Sequence, residues 1–329
     1  MHAGAAGILR SMALVVDVLF FGDNTEFRNP YREGETIMGA AATVAVDIRL
    51  GARASLVAGA FGTRRHGSDR AFDLARPVLT LRLEGERSTL RLGTLSASVA
   101  GDPPGPDRTG PHGMLPPIQR ETLAFERPYE AGFQWTFAGA SLTHDTWINW
   151  QRLNTPAHRE RFDAGAAGEV RVTGWLAIPF QAHVVHEGGQ LFASGPVADS
   201  TALASGAVFR TAPHGLDVTI ETIGVIARYV PDRDAADRYV EGSGAFVRAG
   251  VQRNGWRGHA IAWRSEDFVK VEGDPNYRSG TYGEAGLTRT FRPAPDALVE
   301  TSARLHRVGG QTEYSFRVLA AVRLRRGFQ

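Results

Sequence analysis

Imidazoles lying beside carboxylates are where chemistry would start in this chain. His183, His186 and Glu187 crowd metal-donor types into one short stretch, and imidazole with carboxylate suits a divalent transition metal. On a strand, however, residues three apart point to opposite faces, so His183 and His186 cannot share an ion without a bulge. The helical spacing that lets such pairs chelate is missing. His144 beside Asp145, and Ser194 near His186, offer the parts of a hydrolytic dyad. No nucleophile-elbow pattern, GxGxxG or phosphate loop accompanies them. The sequence therefore names no catalytic, metal or cofactor-binding residue, and no cofactor is expected. A hydrolase stays open as the alternative, because catalytic partners meet in space and not in sequence.

The elements that would position such groups are strands. From Thr312 to Leu324 the residues Tyr314, Phe316, Val318, Ala320, Val322 and Leu324 share one parity, and Glu313, Ser315, Arg317 and Arg323 share the other. Side chains alternate between faces along a strand, so this segment has an oily face and a charged face. The same pattern recurs along the chain. Val44, Val46 and Ile48 alternate with Asp47 and Arg49, and Leu79, Leu81 and Leu83 alternate with Thr80, Arg82 and Glu84. Asn254-Gly255 and Gly309-Gly310 are hairpin-turn pairs. Gly22 to Glu35 and Ala97 to Arg120 read as long connections, the second rich in proline and glycine.

Counting gives about sixteen strands, many about ten residues long, with tight turns at one end and mostly longer loops at the other. The fold expected is all-β: one antiparallel transmembrane barrel with short periplasmic turns and longer outer loops, spanning residues 1–329 as a single domain, with the barrel proper at 12–328. Met1 to Ser11 reads as a flexible N-terminus, and the apolar stretch after it is broken by Asp17, so it does not form the apolar core of an export signal. Trp147, Trp150, Tyr229 and Trp263 fall near strand ends, where an interfacial aromatic belt would stand.

Composition agrees by exclusion. Hydrophobic residues make up 43% of the 329, yet no apolar run is long enough for a membrane-spanning helix. The chain has no cysteine, which excludes disulfides and thiolate metal sites. Net charge is +2 with the basic residues scattered, so no stripe follows a phosphate backbone and nucleic acid is not an expected partner. Lys270 is the only lysine.

Three segments carry a resemblance. FFGDNTEFRNPYREGETIMG at Phe20–Gly39, WINWQRLNTPAHRERFD at Trp147–Asp163 and HEGGQLFASGPVAD at His186–Asp199 resemble recurring segments of a group of bacterial outer-membrane barrels, porin-like in outline and uncharacterised in activity. The apolar alternation ending at Phe328 is similar to the closing strand of such barrels. The resemblance implies a bacterial outer-membrane location and a lipid bilayer as partner, and it carries over no site.

At this strand number the interior is wide enough for an aqueous channel. The function expected is passive or loop-gated diffusion of small hydrophilic solutes, without enzymatic activity, and self-association into a homo-oligomer is compatible with it. The alternatives are an outer-membrane hydrolase and a loop-mediated binding or scaffold barrel. The expected pore lining is Arg82, Arg248, Arg264, Arg304, Arg317 and Arg323 with Glu84, Glu300 and Glu313. Glu300 would lie diagonal to Arg317 across the Gly309-Gly310 turn, and the remaining arginines would give a mild preference for anions.

Overall fold

A computed structural model describes residues 12–95, 111–189, 191–192, 194–235 and 237–328. The expected flexible segment 1–11 and most of the Ala97–Arg120 connection lie outside the described residues. Sixteen strands occur among those described: β1 (Met12–Arg28), β2 (Glu33–Arg49), β3 (Ala54–Arg65), β4 (Leu74–Glu84), β5 (Ser88–Thr94), β6 (Ala131–Ala138), β7 (Leu142–Arg152) and β8 (Glu160–Arg171) form the first half. The second half is β9 (Leu176–Gly188), β10 (Ala198–Thr211), β11 (Asp217–Val230), β12 (Val240–Arg253), β13 (Trp256–Glu266), β14 (Thr281–Ala294), β15 (Ala297–Val308) and β16 (Gln311–Phe328). Each pairs antiparallel with its sequence neighbours, and β16 pairs with β1 from Met12↔Phe328 to Glu26↔Tyr314, closing the barrel. Closure leaves no unpaired strand edge, as a lipid environment demands.

Parity sets the two faces. Phe316 and Val318 of β16 are about half exposed on the outer wall, while Glu313 and Ser315 are buried inside. Turn chemistry fixes the register. Gly309 and Gly310 have φ of 54° and 88°, the left-handed pair that a two-residue hairpin needs, and they set His306 against Glu313 and Arg304 against Ser315.

The Gly22–Glu35 connection expected from sequence is mostly strand. β1 continues to Arg28 and β2 resumes at Glu33, leaving a four-residue turn. Asn29 Oδ1 accepts from the Tyr31 and Arg32 amides at 2.9 and 3.0 Å, satisfying backbone donors as an Asx turn does. Of the residues read as an aromatic belt, Trp150 does stand outside. Trp147 and Trp263 are almost fully buried inside, where they pack under His112 and Tyr277. Tyr229 shares the inner parity of Val225 and Ala227.

Two outer connections fold into the lumen and fill its outer half. The β5–β6 connection brings in Met114, Leu115 and Ile118, then the short helix α1 (Leu123–Glu126), whose Phe125 stacks on Phe21 at 5.3 Å. The β13–β14 connection adds Phe268, Lys270 and Tyr277. The two are tied together where the Arg120 amide donates to Glu272 O (2.8 Å) and the Asp274 amide to Pro116 O (2.9 Å). Gln181 on β9 holds the first, accepting from the Leu115 amide and donating to Gly113 O. Burial of side chains such as Met114 and Ile118 stabilises this plug by roughly 1.5–3 kcal/mol each.

Candidate active site

The wall formed by β13–β16 and β1 carries its chemistry-bearing residues on the inner parity near the outer ends of the strands. Glu284 on β14 pairs in register with His306 on β15, and Arg304 pairs with Ser315 on β16. His306 Nε2 lies 2.8 Å from Ser315 Oγ, and its Nδ1 lies 2.7 Å from the Tyr282 hydroxyl. The Tyr282 hydroxyl donates its one proton to Glu284 Oε2 at 2.6 Å, so toward His306 it can only accept. Nδ1 must then carry the imidazole proton. In the neutral ring Nε2 is left bare, facing the serine hydroxyl. A nucleophile, a base and an orienting hydrogen-bond chain that ends on a carboxylate are the parts of a hydrolytic triad.

Glu284 is itself fixed. Its Oε1 lies 2.7 Å from His259 Nε2 and 3.7 Å from Arg304 Nη1. The His259 ring has room because Gly286 stands opposite it in the ladder, and a Cβ there would come within 2.3 Å of the imidazole. Phe27 packs edge-on against His306 at 4.9 Å. Below the triad, Arg304 and Arg317 each donate to Glu121 Oε2 at 2.7 Å, and Arg317 also pairs with Asp23. Burial alone would raise the Glu121 carboxyl, but the two guanidiniums outweigh it and hold the group down at about 2. Above the triad, Asn29 donates to Asn276 and Glu313, and Arg32 pairs with Asp274 at 2.7 Å, roofing the site with the β1–β2 turn and the β13–β14 connection.

Two further polar clusters pin the plug. His112 stacks on Trp147 at 3.8 Å and reaches Asp145 (2.7 Å) and Glu130 (2.9 Å) with its two ring nitrogens. Asp163, His183 and Glu272 bring three donor atoms within 4.8 Å of one another, which is metal-like spacing. The carboxylate lone pairs are already used, however: Asp163 accepts from Trp147, Asn149 and Gln151, and Glu272 from Arg127, Arg161 and Gln151. Lys270 donates to Ser200 O at 3.0 Å, and burial pushes its ammonium down to about 8. The cluster reads as an ion-pair lattice binding the β13–β14 connection to the wall.

His183 and His186 part to opposite faces, His186 pairing with Asp199. Asp145 meets His112 and not the adjacent His144, which packs against Trp135. Ser194 is exposed on the β9–β10 connection. Of the expected lining residues, Arg82 pairs with Asp47 and Glu84, Arg248 with Glu221, Arg323 with Asp17, Glu300 with Arg257, and Glu313 accepts from Asn29. Arg317 takes Asp23 and Glu121 in place of the expected Glu300. Arg264 faces outward, because the inner parity of β13 is set by Ile261 and Trp263. The His306–Ser315 pairing escaped the sequence reading although a signal existed: the Gly309-Gly310 turn puts the two residues diagonally together on one face.

The sequence matches the Lipid A 3'-O-deacylase-type family over residues 9–326. No curated protein matches it. Among solved structures, the barrel is similar to a loop L8 deletion mutant of OmpT, an outer-membrane protein of Vibrio cholerae (TM-score 0.58, 7% identity, covering 95% of this chain and 99% of that one). It is also similar to an anion-selective porin from Comamonas acidovorans (TM-score 0.55, 10% identity, 96% and 100% covered) and to OccAB1 of Acinetobacter baumannii (TM-score 0.53, 9% identity, 98% of each). At such identities the likeness shows a shared fold: the protein is a sixteen-stranded outer-membrane barrel. The family match overturns both the diffusion channel and the absence of enzymatic activity expected from sequence. A plugged lumen, with most of its inner charges paired across the wall or with the plug, is the physical counterpart of that correction.

Proposed function

This chain belongs to the Lipid A 3'-O-deacylase-type family, and on that premise we propose that it hydrolyses an acyl ester of lipid A, with Ser315 as nucleophile and His306 as base. Ser315 Oγ attacks the ester carbonyl while His306 Nε2 takes its proton. The tetrahedral intermediate then expels the sugar hydroxyl, which leaves with the proton returned by His306. Water, deprotonated by the same nitrogen, cleaves the acyl-serine and releases a fatty acid. Tyr282 and Glu284 hold the ring in the Nδ1–H tautomer and stabilise the imidazolium formed at each step.

The observation that carries this reading is the direction of the hydrogen-bond chain, which leaves an unprotonated nitrogen 2.8 Å from a serine hydroxyl. Its height supports it too: Ser315 lies four residues into β16 from the outer turn, close to the leaflet that holds lipid A. The roof must part for substrate to enter. A fluorophosphonate, which labels only activated serines, tests the assignment. It should modify the peptide containing Ser315 in the wild type and fail to do so in His306→Gln. Equal labelling of the two proteins would refute it.

A further inference from the structure

A separate cavity lies elsewhere, beneath the plug and against β1–β5. It has a volume of about 440 Å³, within the range that small-molecule sites occupy. It opens past Arg323 and Arg325, both about half exposed toward the periplasmic end of β16. Its charges do not balance. Four guanidiniums line it, from Arg82, Arg91, Arg323 and Arg325, against Asp17, Asp47 and Glu130, and Glu130 is taken by His112.

The surplus falls on Arg91. Asp47 serves Arg82 and Arg325, and Asp17 serves Arg323. Arg91 makes no ion pair among the described residues: Asp145, held by His112 and Gln134, acts on it only from beyond ion-pair distance, and its one hydrogen bond goes to Gln134 Oε1 at 3.4 Å. Arg91 also sits directly opposite Arg82 in the β4–β5 ladder, and like charges in that position repel. An inward, partly buried guanidinium facing a second one, with a cavity in front of it, is a place for an anion.

The rest of the lining says what kind of anion. Ser55, Arg82 and Arg91 form one row of the ladder at the lower end. Above that row, toward the plug, stand Val57, Phe61, Val78, Ala45 and Leu19. Charge at the mouth and apolar walls above it match an amphiphile entering tail first. We infer that this vestibule binds a single-chain anionic amphiphile, a fatty acid, with its carboxylate on Arg91 and its chain running up to the plug. The inference does not rest on the hydrolytic reading, since it uses none of the residues around Ser315.

The test uses full-length protein in phosphatidylcholine nanodiscs with dansyl-labelled undecanoic acid as probe. Binding should be saturable above that of empty nanodiscs, displaced by myristic acid and not by tetradecanol. Arg91→Gln should weaken it roughly tenfold or more, the worth of a charge-assisted hydrogen bond, and Ala41→Phe, which fills the cavity from β2, should abolish it. Heat-modifiable gel mobility reports that both variants are folded barrels. Binding no greater than to empty discs, displacement by the alcohol as readily as by the acid, or undiminished affinity in Arg91→Gln would each overturn the inference.

Discussion

One proton, on Tyr282, decides what His306 can do. Because it is given to Glu284, the ring must donate from Nδ1 and accept at Nε2. Tyr282→Phe removes the acceptor and leaves the tautomer unfixed, so kcat for ester hydrolysis should fall roughly tenfold, about the worth of one hydrogen bond. Ser315→Ala should cost about three orders of magnitude or more, as loss of a nucleophile does. Steady-state fatty-acid release from both variants separates an orienting role from a chemical one. A second residue governs pH dependence. Burial alone would lower His112, but Glu130 and Asp145 outweigh it and raise the ring from 6.5 to about 10. A raised pKa contributes stability that is complete below about pH 6.5 and lost as pH climbs through about 10. Thermal melts followed by tryptophan fluorescence, with Trp147 stacked on that ring, should show the melting temperature falling across this window. His112→Ala should start lower and stay flat. None of these partnerships is adjacent in sequence. His112 and Asp145 are joined by folding of the plug, so Asp145 looked instead like a companion of His144.

At the scale of the strand, parity carries most of the information. Val318→Arg places a charge on the lipid face near the middle of β16, at a cost of about 2–4 kcal/mol, whereas Arg91→Gln removes a like-charge pair on the inner face and should stabilise the empty barrel by about 0.2–1 kcal/mol. Urea unfolding in liposomes measures both, and two changes of the same sign would contradict the parity assignment. Strand number, antiparallel order and the tight hairpins were legible because alternation and turn pairs such as Asn254-Gly255 are local signals. Boundaries were not: Asp23, Asn24 and Glu26 look like loop, yet they belong to β1 because their inner or rim positions are polar. Trp263 and Arg264 exchanged faces in the reading for a related reason. A buried lumen makes an inward tryptophan as favourable as an outward one, so an aromatic alone does not tell the faces apart.

For the whole molecule, the plug separates a barrel wide enough to conduct from what this protein is. A sixteen-stranded wall would enclose water, but the infolded β5–β6 and β13–β14 connections fill the outer half with apolar side chains and tie themselves to the wall through His112, Glu121 and Glu272. That outcome was illegible from composition, because a connection rich in proline and glycine reads as loop whether it hangs outside or packs within. The plug leaves a roofed serine and histidine facing the outer end and an amphiphilic vestibule facing the other. The most direct test of the central claim is mass spectrometry of lipid A from outer membranes incubated with purified protein. The wild type should yield lipid A lighter by one acyl group together with the matching free fatty acid, while Ser315→Ala leaves lipid A intact. Lipid A unchanged by the wild type, or deacylated equally by Ser315→Ala, would contradict the account.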